Sequence, residues 1–304
     1  AGFGGVAEYG ITVRWDKNFL TVIRLLLERR ARFALYGGVR LGGTLRIEDA
    51  FALGFDHVAL CLGAGRPQVV GMDNGLAPGV RQASDFLMAL QLTGAARADS
   101  IANLELRLPA VVIGGGLTAI DTATEALAYY PVQVEKFLTR YEALCAAQGE
   151  AAVRAAWTPA QRDIADETLA HARAIRAERE AAERARRPAR IRELLDTWGG
   201  VTIAYRRALT QSPAYTLNHE EVHKALEEGV QFAELLAPRR VEVDAAGRTA
   251  ALQCERQALT PGGEPTGTGE HVTLPARAVL VAAGTTPNTV IARADGEPLA
   301  LDGR

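Results

Sequence analysis

Apolar residues along this chain recur at two spacings, and each change of spacing marks an element boundary. Between Asp16 and Arg30, Phe19, Leu20, Ile23, Leu26 and Leu27 fall at helical spacing, and Asn18 is placed to cap. A strand is expected near Arg32–Tyr36, ended by Gly37-Gly38. Thr44–Leu53 reads as a short helix that stops at Gly54. Val58–Leu62 is a short, nearly continuous apolar run entering Gly63-Ala64-Gly65, a pattern that suits a buried parallel strand. A helix over 82–93, built on Phe86, Leu87 and Leu90, has Gly94 just past its end.

The sharpest local signal is Leu108-Pro109-Ala110-Val111-Val112-Ile113-Gly114-Gly115-Gly116-Leu117-Thr118-Ala119. A β-branched run enters a glycine turn, and a helix is expected from about Thr118 to Tyr130. In this strand–G-x-G-x-x-A–helix pattern, Gly114 permits the tight turn and Gly116 lets backbone approach a pyrophosphate. Ala119 lets the helix pack close, and the helix N-terminus, with Gly115 and Thr118 beside it, presents N–H donors to phosphate. The other reading is an ordinary tight turn with no ligand.

The partner strand of such a unit usually follows within 20–30 residues. Here the next good strand is Val201–Tyr205, so residues 131–198 read as an insertion. That stretch is dense in Ala, Arg and Glu. Helices are expected over 132–156, 159–187 and 189–197, with Thr158-Pro159 as a start signal and Pro188 as a stop. Apolar positions thin out after Ala170, so the long helix is expected to be largely exposed, either as an arm that packs on a partner or, the preferred reading, as a solvated decoration. Arg206-Arg207 ends the second strand, where NAD-preferring domains place an acid for the ribose 2′-hydroxyl. Two guanidiniums there favour the 2′-phosphate of NADPH, unless they are merely solvated.

Residues 218–229 read as an amphipathic helix. Its His219-Glu220-Glu221-Val222-His223 matches H-E-x-x-H, but no third ligand is evident and a solvated face is the preferred reading. Short strands are expected from Val230 to Arg256, then a Gly/Pro/Thr-rich loop over 257–270. A last strand at Ala278–Ala283 closes in Gly284-Thr285-Thr286-Pro287.

Composition narrows the classes. The 304 residues carry 34 basic and 36 acidic side chains, a net charge of −2, which removes the electrostatic case for nucleic-acid binding. Only Lys17, Lys136 and Lys224 among the basic residues are lysines. Hydrophobic residues at 48% and charged ones at 23% are a globular mix. No apolar run is long enough to span a membrane. Cys61, Cys145 and Cys254 are scattered, which excludes a C-x-x-C dithiol and a cysteine-ligated metal within the chain and points to a cytoplasmic, reducing setting.

Together these stretches resemble the two-dinucleotide-binding-domain flavoproteins of pyridine nucleotide-disulfide oxidoreductase type. Within them they are most similar to the glutamate synthase small-subunit (β-subunit) group. Gly4-Gly5-Val6-Ala7-Glu8-Tyr9-Gly10-Ile11 resembles that group's glycine pair and Tyr-Gly-Ile near the flavin. Asp56–Ala64 and Ala282–Asn288 resemble its two Ala-Thr-Gly strand ends, with Cys61-Leu62 and Ala283 as departures. Gly114–Asp121 resembles its NADPH fingerprint, with Leu117 where the group usually has Asp.

The resemblance implies an α/β fold in which 101–277 is a Rossmann-like NAD(P)H-binding domain with the helical insertion at 131–198. Residues 1–100 and 278–304 would then be part of an FAD-type domain. NADPH would meet Gly114, Gly115, Gly116, Thr118, Ala119, Arg206 and Arg207. Tyr9, Gly10, Gly63, Ala64 and Gly284 would touch FAD. Electrons would leave to an acceptor protein or domain, an iron–sulfur one among the candidates, and no catalytic acid or base is implied. Glu221 is the carboxylate to examine near the nicotinamide. The group's FAD fingerprint, its C-terminal Gly-Asp stretch and its iron–sulfur cysteines are missing from the sequence, so the chain is expected to be the interior of a longer flavoprotein. The alternative is a flavin-free NADPH-binding module that acts as a partner or sensor domain through its insertion.

Overall fold

The structure, a computed structural model, describes residues 19–287 and 289; Tyr9, Gly10 and Asn18 lie outside them. The chain divides into a large unit, Val69–Gly284, and a smaller one made of Asp16–Gln68 and Thr285–Arg304.

The described part of the smaller unit holds α1 (Phe19–Glu28), α2 (Ile47–Ala52) and β1 (Arg66–Pro67), which pairs antiparallel with β10 (Thr285–Thr286). The helices agree with the sequence expectation, α2 being the shorter by three residues at its start. The strands expected at Arg32–Tyr36 and Val58–Leu62 do not form. Both stretches lack regular structure, and Leu35, Tyr36, Leu60 and Leu62 are exposed. The reason is topological: a parallel strand needs hydrogen-bonded neighbours, and none of the described residues supplies one.

The large unit is an α/β Rossmann-like fold. Its parallel sheet has the order β2 (Val80–Gln82), β9 (Ala278–Val281), β3 (Ala110–Ile113), β4 (Val201–Tyr205), β5 (Gln231–Glu234). Strands β3 and β9 are buried along their whole length, as their apolar runs require. Helix α3 (Ala83–Leu92) buries Phe86, Leu87 and Leu90, and α4 (Leu117–Gln148) follows the glycine turn. A three-stranded antiparallel meander, β6 (Leu236–Val243), β7 (Thr249–Leu259) and β8 (Pro265–Pro275), links β5 to β9. The loop expected over 257–270 is therefore mostly strand, and its turn is confined to the residues between β7 and β8. Gly267 marks an irregular register there, where a Cβ would collide with the Glu255 carboxylate.

The unit boundaries fall at 68/69 and 284/285 and not at 100/101 and 277/278 as expected. Strands β2 and β9 hydrogen-bond to each other within the same sheet, and β9 pairs with β3, which draws both flanks into the large unit.

The insertion also differs from its expectation. Helix α4 runs on through Pro131, so the first helix of the dinucleotide unit and the start of the insertion are one element. After α5 (Glu150–Ala155), α6 (Pro159–Arg184) packs back on α4, and α7 (Ile191–Thr197) leads to β4. The capping box at Thr158 and Gln161 starts α6 where the sequence placed it. Its Leu169, Ala172 and Ile175 are at most 1% exposed and join the same core as Tyr130, Val134 and Leu138 of α4. The hairpin is thus core and not decoration. Alanine allows close helix approach, so few large apolar residues suffice.

One face of α4 substitutes for a missing strand. The Leu104 amide donates to Tyr129 Oη, and the Leu106 amide and carbonyl both bond the Gln133 side chain at 2.7 and 2.9 Å. Lys136 Nζ donates to the Ala95 and Ala102 carbonyls, each at 2.8 Å. These three side chains lie one turn apart and satisfy the backbone of an extended segment that has no sheet partner.

Two outcomes follow. Leu169→Ala and Ile175→Ala should each cost about 2–5 kcal/mol in urea unfolding, as cavity-forming core substitutions do; a change below about 0.5 kcal/mol would mark a solvated hairpin. Next, His171 of α6 stacks on Trp198 at 3.8 Å and shares a 2.7 Å hydrogen bond with Tyr130 Oη. Burial, helped by Arg107, lowers its imidazole to about 4. An unfolded histidine titrates near 6.5, so between these values the unfolded chain binds the extra proton. The contribution of His171 to stability is complete above pH 6.5 and is lost as pH falls toward 4. His171→Phe should reduce the slope of unfolding free energy against pH in that window.

Candidate functional site

The glycine turn sits at the C-terminal edge of the parallel sheet, where α/β folds place their ligands. Its three glycines have different reasons to be glycine. Gly114 has φ +156°, and a Cβ there would lie 2.4 Å from the Ala282 carbonyl oxygen, so the turn is pressed against the neighbouring strand end. At Gly115 a Cβ would meet the Tyr205 ring at 2.3 Å. Gly116, the N-cap of α4, has an ordinary φ of −94° and nothing within 4 Å of a Cβ. No atom of the described residues explains the third glycine.

The start of α4 offers a positive helix end. It has no side-chain cap and no acidic residue in its first turn, which leaves the first-turn amides and the helix dipole uncompensated. Thr118 is half-buried beside them, while Ala119 is fully buried against the sheet. Gly114, Gly115, Gly116, Ala119 and Tyr205 line one small cavity of about 10 Å³. That volume is far below a nucleotide's, so any nucleotide would lie over the turn and not inside it.

Strand β4 brings Arg206 and Arg207 to the same edge, since Ala204 pairs with Ile113 and accepts from the Gly114 amide. The two arginines are not equivalent. Arg207 donates to Glu264 at 2.6 Å and to the Gly263 carbonyl at 3.3 Å. Arg206 is exposed and has no ion pair among the described residues. Only Arg206 stands ready for an anion.

Gly63 and Ala64 are exposed in the smaller unit, in a segment without regular structure. Gly284, with φ +107°, ends the large unit and is exposed. Tyr9 and Gly10 lie outside the described residues. Glu221 is half-buried on α8 (Pro213–Glu227), and His219 and His223 are exposed on the same helix. The described residues contain no group of three or more side chains that could hold a metal.

The sequence reading missed the roof of the turn. Helix α8 starts five residues earlier than expected, with Ser212 as N-cap accepting from the Tyr215 amide and Pro213 in the first turn. The Ala214 amide donates to the Gly115 carbonyl at 3.1 Å, which ties this helix start to the turn. Ser212-Pro213 was the available signal.

No family model matches the chain. Over 252 residues it is 44% identical to an uncharacterized protein of Rickettsia prowazekii (strain Madrid E), a match covering 83% of this chain and 33% of that protein. Among solved structures it is similar to Mycobacterium tuberculosis FprA in complex with NADPH, with a TM-score of 0.52, 16% identity, and 92% of this chain covered against 61% of FprA. A second structure of FprA, a Mycobacterium tuberculosis oxidoreductase, shows a covalent modification of NADP+ and matches with a TM-score of 0.51 and 16% identity over 92% of this chain and 61% of FprA. The chain spans a third of the length of the first relative and less than two thirds of the second. At this identity the likeness to FprA shows a shared fold. No described helix is long and apolar enough to cross a membrane.

The glycines give a separable outcome. Gly114→Ala should destabilise the chain by about 1–3 kcal/mol, because backbone must move. Gly116→Ala should stay within about 1 kcal/mol of the parent. Chemical denaturation of the two variants checks the contrast.

Proposed function

We propose that the large unit binds NADPH over the Gly114–Ala119 turn and serves as the pyridine-nucleotide half of a flavoprotein oxidoreductase. The observation that carries this is Gly116. Its side faces open space at an uncapped helix N-terminus, the arrangement a pyrophosphate needs and the packing does not. The shared fold with NADPH-complexed FprA supports the same placement. The nucleotide, when bound, supplies a hydride. The amides of the first α4 turn would hold its pyrophosphate. Arg206 would donate to the 2′-phosphate, while Arg207, held by Glu264, would shape the strand end around it.

The described residues do not make an FAD cradle. Gly63 and Ala64 lie in exposed irregular chain, and the described part of the smaller unit holds no strand–glycine–helix turn. The flavin is therefore proposed for the whole protein only, and no step is derived through it. Within flavoproteins, the stretches Gly4–Ile11, Asp56–Ala64 and Ala282–Asn288 favour a glutamate synthase small-subunit-like enzyme that passes electrons to an acceptor protein or domain. The sensor reading loses its main support, since the insertion is committed to the core.

Arg206→Asp should weaken NADPH binding by about 1.5–3 kcal/mol and leave NADH binding nearly unchanged, as expected for loss of one charge-assisted phosphate contact. Gly116→Ala should weaken both nucleotides. Equal losses for NADPH and NADH in Arg206→Asp would show that Arg206 does not read the 2′-phosphate. Fluorescence titration of each variant gives the answer.

A further inference from the structure

At the opposite edge of the sheet lies a second, larger cavity of about 340 Å³. It opens where the strands begin, between the loop before β2, the extended segment before β3, Arg277 before β9 and the turn before β7. Strand β3 alone separates it from the glycine turn by about 13 Å, at ~3.3 Å per residue. The nucleotide site and this cavity therefore share no residues.

Four of the lining residues are arginines, Arg81, Arg107, Arg248 and Arg277, and a single one, Glu105, is acidic. The ion pairs do not balance them. Arg248 takes Glu105, while Arg107 and Arg277 share one carboxylate, Glu167. Arg81 has no ion pair among the described residues, although it is half-buried. Arg107 is only 13% exposed, and its Nε is buried with no hydrogen-bond partner. Two guanidinium charges remain uncompensated in a partly desolvated recess, which costs free energy unless an anion offsets it. Burial and the neighbouring Arg107 also pull the Arg277 guanidinium below its ordinary range, which fits a crowd of like charges.

The walls say what kind of anion fits. Arg81 is the register partner of Leu280, so both face the helical side of the sheet, over a floor of buried Phe86 and Leu106, and the accessible apolar lining comes from Leu76, Ala77 and Pro78. Gln133 clamps Leu106 through its amide and carbonyl, so the segment carrying Arg107 is held in place without a ligand. The volume is at the small end of ligand pockets.

We propose that this recess is a binding site for a small organic dianion with an apolar body, a phosphomonoester or a dicarboxylate, separate from the nucleotide site. Arg81 contacts its charged end beside the half-compensated Arg107–Arg277 pair, and Leu76 and Pro78, the exposed apolar residues of the lining, face its body.

Phenyl phosphate, a dianion above neutral pH, is the probe, titrated calorimetrically into the 304-residue chain. The expected result is saturable binding that persists in Arg206→Gln and in the presence of saturating NADPH. Arg81→Gln should weaken it at least about tenfold, the loss of one charge-assisted contact. Uncharged benzyl alcohol should not bind. If Arg81→Gln does not melt cooperatively, Arg248→Gln, which leaves the Glu105 carboxylate unpaired in the recess, should weaken binding in the same direction. Absence of saturable binding below about 10 mM would overturn the proposal. So would binding lost in Arg206→Gln or displaced by NADPH, which would place the probe at the glycine turn.

Discussion

The large unit depends on how α4 is buried. Its N-terminus is fixed by a backbone contact so close that Gly114 admits no side chain beside the Ala282 carbonyl. Its middle supplies Tyr129, Gln133 and Lys136 as hydrogen-bond partners for a segment with no strand beside it. Its second half carries α6. A single helix of 32 residues thus orients the glycine turn, positions the segment that holds Arg107, and anchors the insertion. Burying a lysine is costly unless its charge is met, and two carbonyls meet Lys136 while desolvation lowers its pKa.

This arrangement gives the two edges of the sheet different characters. The C-terminal edge offers backbone amides, an uncapped helix end and one free arginine. Such a surface binds phosphate through geometry, with charge added at a single point. The N-terminal edge offers guanidiniums around a recess, and binds through charge with little backbone contribution. Because β3 and β9 are short and buried on both faces, the two edges are joined by a rigid layer.

Much of this was legible in the sequence. The β-branched run into Gly114-Gly115-Gly116 specified β3, the turn and the start of α4. Val201–Tyr205 specified β4, and Arg206-Arg207 its end. What misled was the use of large apolar residues as the measure of burial. Leu169, Ala172 and Ile175 sit among arginines and glutamates, so α6 reads as solvated until the small alanine face meets α4. The reverse error occurred at Val58–Leu62, where an apolar run has no neighbour among the described residues with which to form a sheet. The arginine recess was invisible because Arg81, Arg107, Arg248 and Arg277 come from four separate stretches, each unremarkable in an arginine-rich chain. Parallel pairing of β2 with β9 and of β9 with β3 draws three of them to one edge, and the bonds of Thr249 to the Pro78 carbonyl bring Arg248 there.

The proposed NADPH site is tested most directly by where a pyridine nucleotide contacts the chain. Amide hydrogen exchange measured with and without saturating NADPH reads that location directly. Exchange is expected to slow at the first-turn amides following Gly116 and at the strand end around Arg206, with the segment 104–107 and Arg81 unaffected. Protection absent from the Gly114–Ala119 turn, or confined to the arginine recess, would contradict the proposed site.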